Sequence, residues 1–472
     1  MNPTASRDII IRYMFKLILF LIVFFVINVS PAFAISDPRA VPNNKVGINV
    51  LSPEAEIDET NTLVNTNGDW GYVVITIAKN ERSLERWQSF LNKANDNHLI
   101  PIIRLVTAFD RENGYWEKPG ENDAAEWSEF LSKLHFPTKN RYIQVYNEVN
   151  RGSEWGGNSD PASYAAELNK TIDALKSKNA DFFVLNSPLD LALGDSSTTM
   201  EASQFFKEMD KAVPGIFKKL DGWASHSYPN PDFSASPSKT GRTGISGYDW
   251  ELSEISSLTQ GKKLPVFITE TGWKRENDDE DGLTEEKISE YYDHAFGNVW
   301  NDDRVVAVAP FVLGYPETLF NQFSFKSQGD KSAFYKYFFT IRDLKKIKGD
   351  PERQSTLTDM KVFAPNYFIK NTQSYVTVTF KNTGNKVWNF GKNLKLKLRG
   401  EDENGYHVFW FKEKVYPGDQ VLAIIRVGSE FAGIKATTIQ VLDEEEILDQ
   451  KTIYIRNETT LSLFLQKLNA LL

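Results

Sequence analysis

Between residue 45 and about residue 312, eight short, almost continuously apolar runs alternate with longer stretches of helical periodicity, and few folds accommodate that order. The runs are Val46–Val50, Tyr72–Ile77, Ile100–Leu105, Tyr142–Tyr146, Phe182–Asn186, Gly222–Ser225, Val266–Thr269 and Val305–Val312. A strand with one wet face alternates apolar and polar residues, whereas a continuous apolar run suits a parallel strand buried on both faces. Between the runs, Leu84, Trp87, Phe90 and Leu91 share one helical face, and Tyr164, Leu168, Ile172 and Leu175 share another. Asp160-Pro161 is a helix start, an N-cap oxygen followed by a proline at the first helical position. Eight such repeats over roughly 300 residues predict an α/β fold, the (β/α)8 TIM barrel. The competing doubly wound open sheet is disfavoured, because no Gly-rich phosphate loop follows the first strand.

The pattern changes near residue 345. The polar stretch 348–359 reads as a linker. Beyond it come β-rich runs at Tyr375–Phe380, Leu394–Leu398, Val421–Val427 and Thr437–Leu442, with turn signals at Asn382-Thr383-Gly384-Asn385 and Tyr416-Pro417-Gly418-Asp419. They predict a smaller all-β sandwich over 360–457, after the barrel of 41–347. The last stretch, 458–472, spaces Leu461, Phe464, Leu465, Leu468, Leu471 and Leu472 as one helical face.

At the other end, Arg7, Arg12 and Lys16 precede the apolar run Leu17–Val29, and Pro31-Ala32-Phe33-Ala34 supplies a cleavage site. Residues 1–34 are therefore expected to be an export signal, with a retained membrane anchor as the alternative. The run is short beside the roughly 20 residues of a membrane span. The expectation is an exported protein, secreted or held at the cell surface.

Several classes are excluded by composition. Net charge is −9, against the basic surface of a nucleic-acid binder. There is no cysteine, which removes thiol nucleophiles, thiolate metal sites and iron–sulfur clusters. The five histidines lack metal-site spacing, and neither a Walker motif nor a Gly-x-Ser-x-Gly elbow occurs. Asn277-Asp278-Asp279-Glu280-Asp281-Gly282 begins like a calcium loop, but the position of its bidentate glutamate is Ile288. No cofactor, metal or protein partner is predicted.

A barrel of this kind places its chemistry just past the carboxyl ends of its strands. The fourth run leads directly into Asn147-Glu148 and the seventh into Glu270-Thr271-Gly272-Trp273. Two carboxyls facing each other across a barrel mouth are what glycoside hydrolysis requires: one protonates the departing oxygen, the other attacks the anomeric carbon or activates water. Either glutamate alone would read as a surface or salt-bridge residue.

The segment Tyr146-Asn147-Glu148-Val149-Asn150 resembles the strand-four motif of glycoside hydrolase clan A, the cellulase-like retaining enzymes. Phe267-Ile268-Thr269-Glu270-Thr271-Gly272-Trp273 resembles the strand-seven motif of that clan, and Ser225-His226-Ser227-Tyr228-Pro229 sits where the clan often carries His-x-Tyr. The resemblance implies Glu148 as general acid/base and Glu270 as nucleophile. It also implies Asn147 as a partner of the sugar 2-hydroxyl, and His226 and Tyr228 as groups that orient the carboxylates. Arg104, closing the third run, is either the cation that keeps Glu270 ionised or a structural ion pair. Trp273 is expected to be a sugar platform, with Tyr315 standing in for the tryptophan that the clan places after strand eight. Trp116 and Trp155 read as loop packing.

The segment Phe380–Trp388 resembles immunoglobulin-like modules of carbohydrate-active proteins, with Trp388 expected in its core. The leading expectation is a retaining glycosidase with a carbohydrate substrate. The alternatives are a non-catalytic sugar-binding surface protein on a degenerate barrel, and a transglycosylase using the same glutamates.

Overall fold

The computed structural model describes residues 35–276, 282–317, 319–327, 333–399, 406–428 and 433–469. The expected signal segment, most of the acidic loop at 277–282 and the last two leucines lie outside these. No helix among the described residues is long and apolar enough to cross a membrane.

The first part is a mixed α/β unit of eight parallel strands, each followed by a helix. The strands are β1 (Gly47–Asn49), β2 (Gly71–Ala78), β3 (Leu99–Val106), β4 (Arg141–Val145), β5 (Phe182–Leu185), β6 (Trp223–His226), β7 (Val266–Glu270) and β8 (Val305–Val308). The helices that follow them are α1 (Ile57–Asn65), α2 (Leu84–Asp96), α3 (Asp123–Ser132), α4 (Pro161–Lys178), α5 (Ala202–Ala212), α6 (Gly247–Ile255), α7 (Glu285–His294) and α8 (Lys336–Asp343). Strands β1 to β5 form one sheet in sequence order, and β6 to β8 form a second. A parallel bridge between Leu185 and Gly222 lies at the β5–β6 seam, and one between Val46 and Val308 at the β8–β1 seam.

The burial pattern explains the continuous apolar runs. Tyr72, Val74, Ile100, Ile102, Tyr142, Phe183, Leu185, Ala224, Phe267, Val306 and Ala307 pack together in one cluster fed by β2 through β8. Alternate residues of the same strands, such as Val73, Ile75, Ile103 and Ile143, pack outward with the helices. Both faces are thus dry, as parallel strands require. Caps hold the helices as the sequence suggests: the Asp160 side chain accepts from the Ser163 N–H, and Pro161 opens α4. The eighth strand is shorter than its apolar run, ending at Val308 rather than Val312. Pro310 has no N–H to continue a ladder.

The second part is all-β: β9 (Leu357–Phe363), β10 (Tyr367–Ile369), β11 (Gln373–Asn382), β12 (Leu394–Arg399), β13 (Tyr406–Trp410), β14 (Gln420–Gly428), β15 (Gly433–Asp443) and β16 (Glu446–Glu458), then helix α9 (Thr460–Asn469). They form two four-stranded sheets, ordered β9-β11-β14-β13 and β10-β16-β15-β12. Pairing is antiparallel except between β10 and β16. One core containing Phe368, Val376, Phe380, Trp388, Leu396, Ile425 and Val441 lies between them. Strand β9 begins inside the expected linker, and part of what precedes it is docked: the Gly349 N–H bonds the Asp69 carbonyl and the Asp350 N–H that of Pro42. The all-β part meets α2 through Lys414 and Tyr416, both on Asp96.

Candidate active site

The carboxyl ends of β3, β4, β6 and β7 converge on one group of charged side chains. Glu270 is the last residue of β7 and only 8 % exposed. Arg104 reaches it from β3, with Nη1 2.6 Å from Oε1. The Tyr228 hydroxyl donates to its other oxygen at 3.1 Å. His226, ending β6, lies between the carboxyls: Nδ1 is 2.8 Å from Glu148 Oε1 and 3.6 Å from Glu270 Oε2. One carboxylate oxygen each from Glu148 and Glu270, with a ring nitrogen of His226, all fall within 4.8 Å of one another. Those three carry the donor types of a divalent-metal site. Arg104, however, already supplies positive charge to Glu270 and would repel a cation.

The backbone leaving β4 is under strain. Tyr146 has φ of +69° and Glu148 of +35°, in a region that residues with a Cβ enter at a cost of about 1–3 kcal/mol each. The surroundings hold it there. The Tyr146 ring is buried against Trp155 at 5.3 Å, Gln144 donates to the Tyr146 carbonyl, and the Arg151 N–H bonds the Glu148 carbonyl. Asn150 is buried and donates to the carbonyls of Asp190 and Met200. Positive φ also occurs at Lys45, Trp70 and His98 before β1, β2 and β3, but within three residues of a carboxyl end of β1–β8 the non-glycine cases among the described residues are Tyr146 and Glu148. Strain of this kind often collects at functional sites.

The two carboxyls sit in different fields. Burial pushes Glu270 toward the neutral form, but His226, Arg104 and the Tyr228 hydroxyl together outweigh it and hold the carboxyl below the ordinary glutamate value. Glu148 has Arg151 at 3.6 Å, and Arg151 in turn is paired with Asp190. Asn147 donates from Nδ2 to Glu154 Oε2 at 3.4 Å. Burial, reinforced by the charge of Glu148, raises Glu154 to about 7.

Of the residues singled out from sequence, Glu148, Glu270, Asn147, His226, Tyr228 and Arg104 are brought together. Trp273 is not available as a platform. It is 2 % exposed, packs on Tyr292 and Trp300, and donates its indole N–H to the Ala235 carbonyl. It lies three residues beyond a strand end, and its side chain turns back into the helix layer. Tyr315 is half-buried and joins the site through a chain of rings, Phe311, Phe323 and then Tyr228. Trp155 is core, and Trp116 packs edge-on against Phe109.

Arg151, Glu154 and Asp190 escaped the sequence reading. Arg151 and Glu154 follow Glu148 closely, and that run of charge was a usable signal. Asp190 is 39 positions from Arg151, and spacing says nothing about such a pair.

No protein-family model matches the chain, and no curated protein is similar to it. Solved structures align with it at low similarity. A family 39 glycoside hydrolase from Bacteroides cellulosilyticus WH2 aligns over 83% of this chain and 82% of its own, at TM-score 0.44 and 14% identity. A GH128 (subgroup II) endo-β-1,3-glucanase from Sorangium cellulosum aligns over 63% of this chain and 98% of its own, at 0.42 and 14%. A β-mannanase from Streptomyces thermolilacinus aligns over 64% and 90%, at 0.39 and 13%. Similarity at this level assigns no activity.

Proposed function

We propose that the eight strands close as a (β/α)8 barrel and that its mouth is the active site of a retaining glycoside hydrolase. The observation that carries the reading is the carboxyl pair at the ends of β4 and β7. Oxygens of Glu148 and Glu270 lie within 4.8 Å, with Glu270 clamped by Arg104 at 2.6 Å and by a tyrosine hydroxyl, and Glu148 facing the more distant Arg151 at 3.6 Å. Retaining enzymes hold their carboxyls about 5–5.5 Å apart, whereas inverting ones leave room for water at about 6.5–9.5 Å. Glu270, kept ionised, attacks the anomeric carbon. Glu148 passes a proton to the departing oxygen, and a covalent glycosyl–enzyme forms. Glu148 then takes a proton from the water that releases the sugar. His226 bridges both carboxyls and fixes their orientation. Asn147 bonds the sugar 2-hydroxyl, and the mutually packed rings of Phe311, Tyr315 and Phe320 line the cleft.

Glu270→Gln is expected to lower turnover of aryl glycosides by on the order of 10⁴-fold or more, and Glu148→Gln by about 10²–10⁴-fold. With Glu148→Ala, azide should restore turnover of an activated substrate and yield the glycosyl azide of retained configuration. Undiminished hydrolysis in Glu270→Gln, or an inverted product, overturns the reading.

A further inference from the structure

The outer face of sheet β9-β11-β14-β13 carries a pattern that core packing does not explain. Along β11, Val376, Val378 and Phe380 enter the core, and along β14 so do Ala423, Ile425 and Val427, which leaves the alternate residues outside. The register aligns those residues in rows. Phe363 on β9 stands opposite Thr377, Thr377 opposite Ile424, and Ile424 opposite Phe409. One row across four strands thus begins and ends with a phenyl ring, about 14 Å apart at three strand spacings. In the next row Tyr375 stands opposite Arg426, and Arg426 opposite His407. Phe363 is 59 % exposed and Tyr375 is 52 % exposed. Phe409 has the Arg426 guanidinium 5.7 Å from its centre and the His407 ring at 4.7 Å. Exposed apolar surface grouped on one face is a feature of binding surfaces, whereas single scattered residues are ordinary.

The charge on this face narrows the occupant. The chain carries −9 overall, yet β9, β11, β13 and β14 contain Lys361, Lys381 and Arg426 against a single carboxylate, Asp359, at the bulge of the edge strand. None of the three cations is ion-paired among the described residues.

We infer that this face binds an acidic polysaccharide. Its sugar rings pack on Phe363, Tyr375 and Phe409, and its carboxylates meet Arg426, Lys361 and Lys381. The choice of a glycan rests on the glycosidase reading above; the choice of an anionic one rests on the charge of the face. A surface of this kind holds the enzyme on its polymer and raises the effective concentration of cleavable bonds.

The test uses native affinity electrophoresis of the full chain, carrying Glu270→Gln so that no polymer is degraded. The gels contain polygalacturonate or alginate, or a neutral β-glucan or mannan. Retardation is expected in an acidic gel, weakening as salt rises, and at least about tenfold weaker on adding Arg426→Gln or Phe409→Ala. Both changes are on the surface, and in the wild-type background neither should alter turnover of a small aryl glycoside. Equal retardation with and without these changes, retardation only by neutral polymer, or none at all overturns the inference. Hydrolysis by the wild-type chain without retardation of the Glu270→Gln chain removes the binding face and leaves the glycosidase. Retardation of the Glu270→Gln chain with no hydrolysis of any glycoside by the wild type removes the glycosidase alone.

Discussion

The two parts of this molecule treat polar groups in opposite ways. In the all-β part the core between the sheets is apolar and β11 alternates inward Val and Phe with outward Tyr and Thr, while the buried carboxylates Asp443 and Glu458 are each paired with a partly or fully exposed cation, Lys386 or Arg456. At the carboxyl ends of β3, β4, β6 and β7, Arg104, His226 and Glu270 are buried, and two residues adopt positive φ around Asn147. A buried ion pair is weak evidence for stability, because desolvating both charges offsets much of their attraction. The α/β part therefore gathers costly buried charge at these strand ends, where catalysis is proposed, whereas the all-β part buries no cation and no complete ion pair among its described residues. A buried glutamate without ion-pair partners shows what the clamp around Glu270 does. Glu251 on α6 is fully buried, and burial raises it to about 8.

Removing the clamp is the most severe way to break this contrast. Arg104→Gln leaves the Glu270 carboxylate buried beside only His226 and Tyr228, a change that costs about 3–5 kcal/mol in comparable buried pairs. Turnover should fall, and its pH profile should move in a fixed direction. Under the proposed mechanism activity needs ionised Glu270, so it is lost as pH drops through a value held below the ordinary one. Without Arg104 that value rises, and the acid limb shifts to higher pH. Tyr228→Phe should move the limb the same way by less. An acid limb unmoved in both variants would mean that Glu270 does not set it.

The all-β part should respond only in stability. Trp388 is fully buried, with its indole N–H on Ser355 at 2.8 Å. Trp388→Ala should destabilise that part by about 3–5 kcal/mol. Initial rates on a small aryl glycoside, measured below its melting transition, should match wild type. A matching loss of turnover would show that the two parts work as one.

Much of this arrangement was legible in the sequence, for physical reasons. Strands β1 to β8 could be read because burial on both faces forces near-continuous apolar runs. Glu148 and Glu270 could be read because each directly follows such a run. What could not be read depends on direction and distance in space. Trp273 follows a strand end as a platform residue would, yet spacing does not say that its indole turns inward to Ala235. The Arg151–Asp190 pair joins two loops, and the row from Phe363 to Phe409 exists only once β9, β11, β14 and β13 are in register.

The gentlest test concerns Glu154, where the contrast is sharpest per atom changed. Its folded value of about 7 lies above that of a glutamate in an unfolded chain. Ionised Glu154 is therefore less favourable in the folded state. The penalty is absent below the ordinary carboxylate range, builds as pH rises toward about 7, and is complete above it. Glu154→Gln removes the charge and keeps a carbonyl to accept from Asn147. It should raise the melting temperature at about pH 8 by on the order of 2–4 °C, with little change at about pH 4, where both forms are neutral. An equal gain at the two pH values would show that the effect is packing rather than charge. Any alkaline limb of activity near 7 that persists in the variant would then belong to another group.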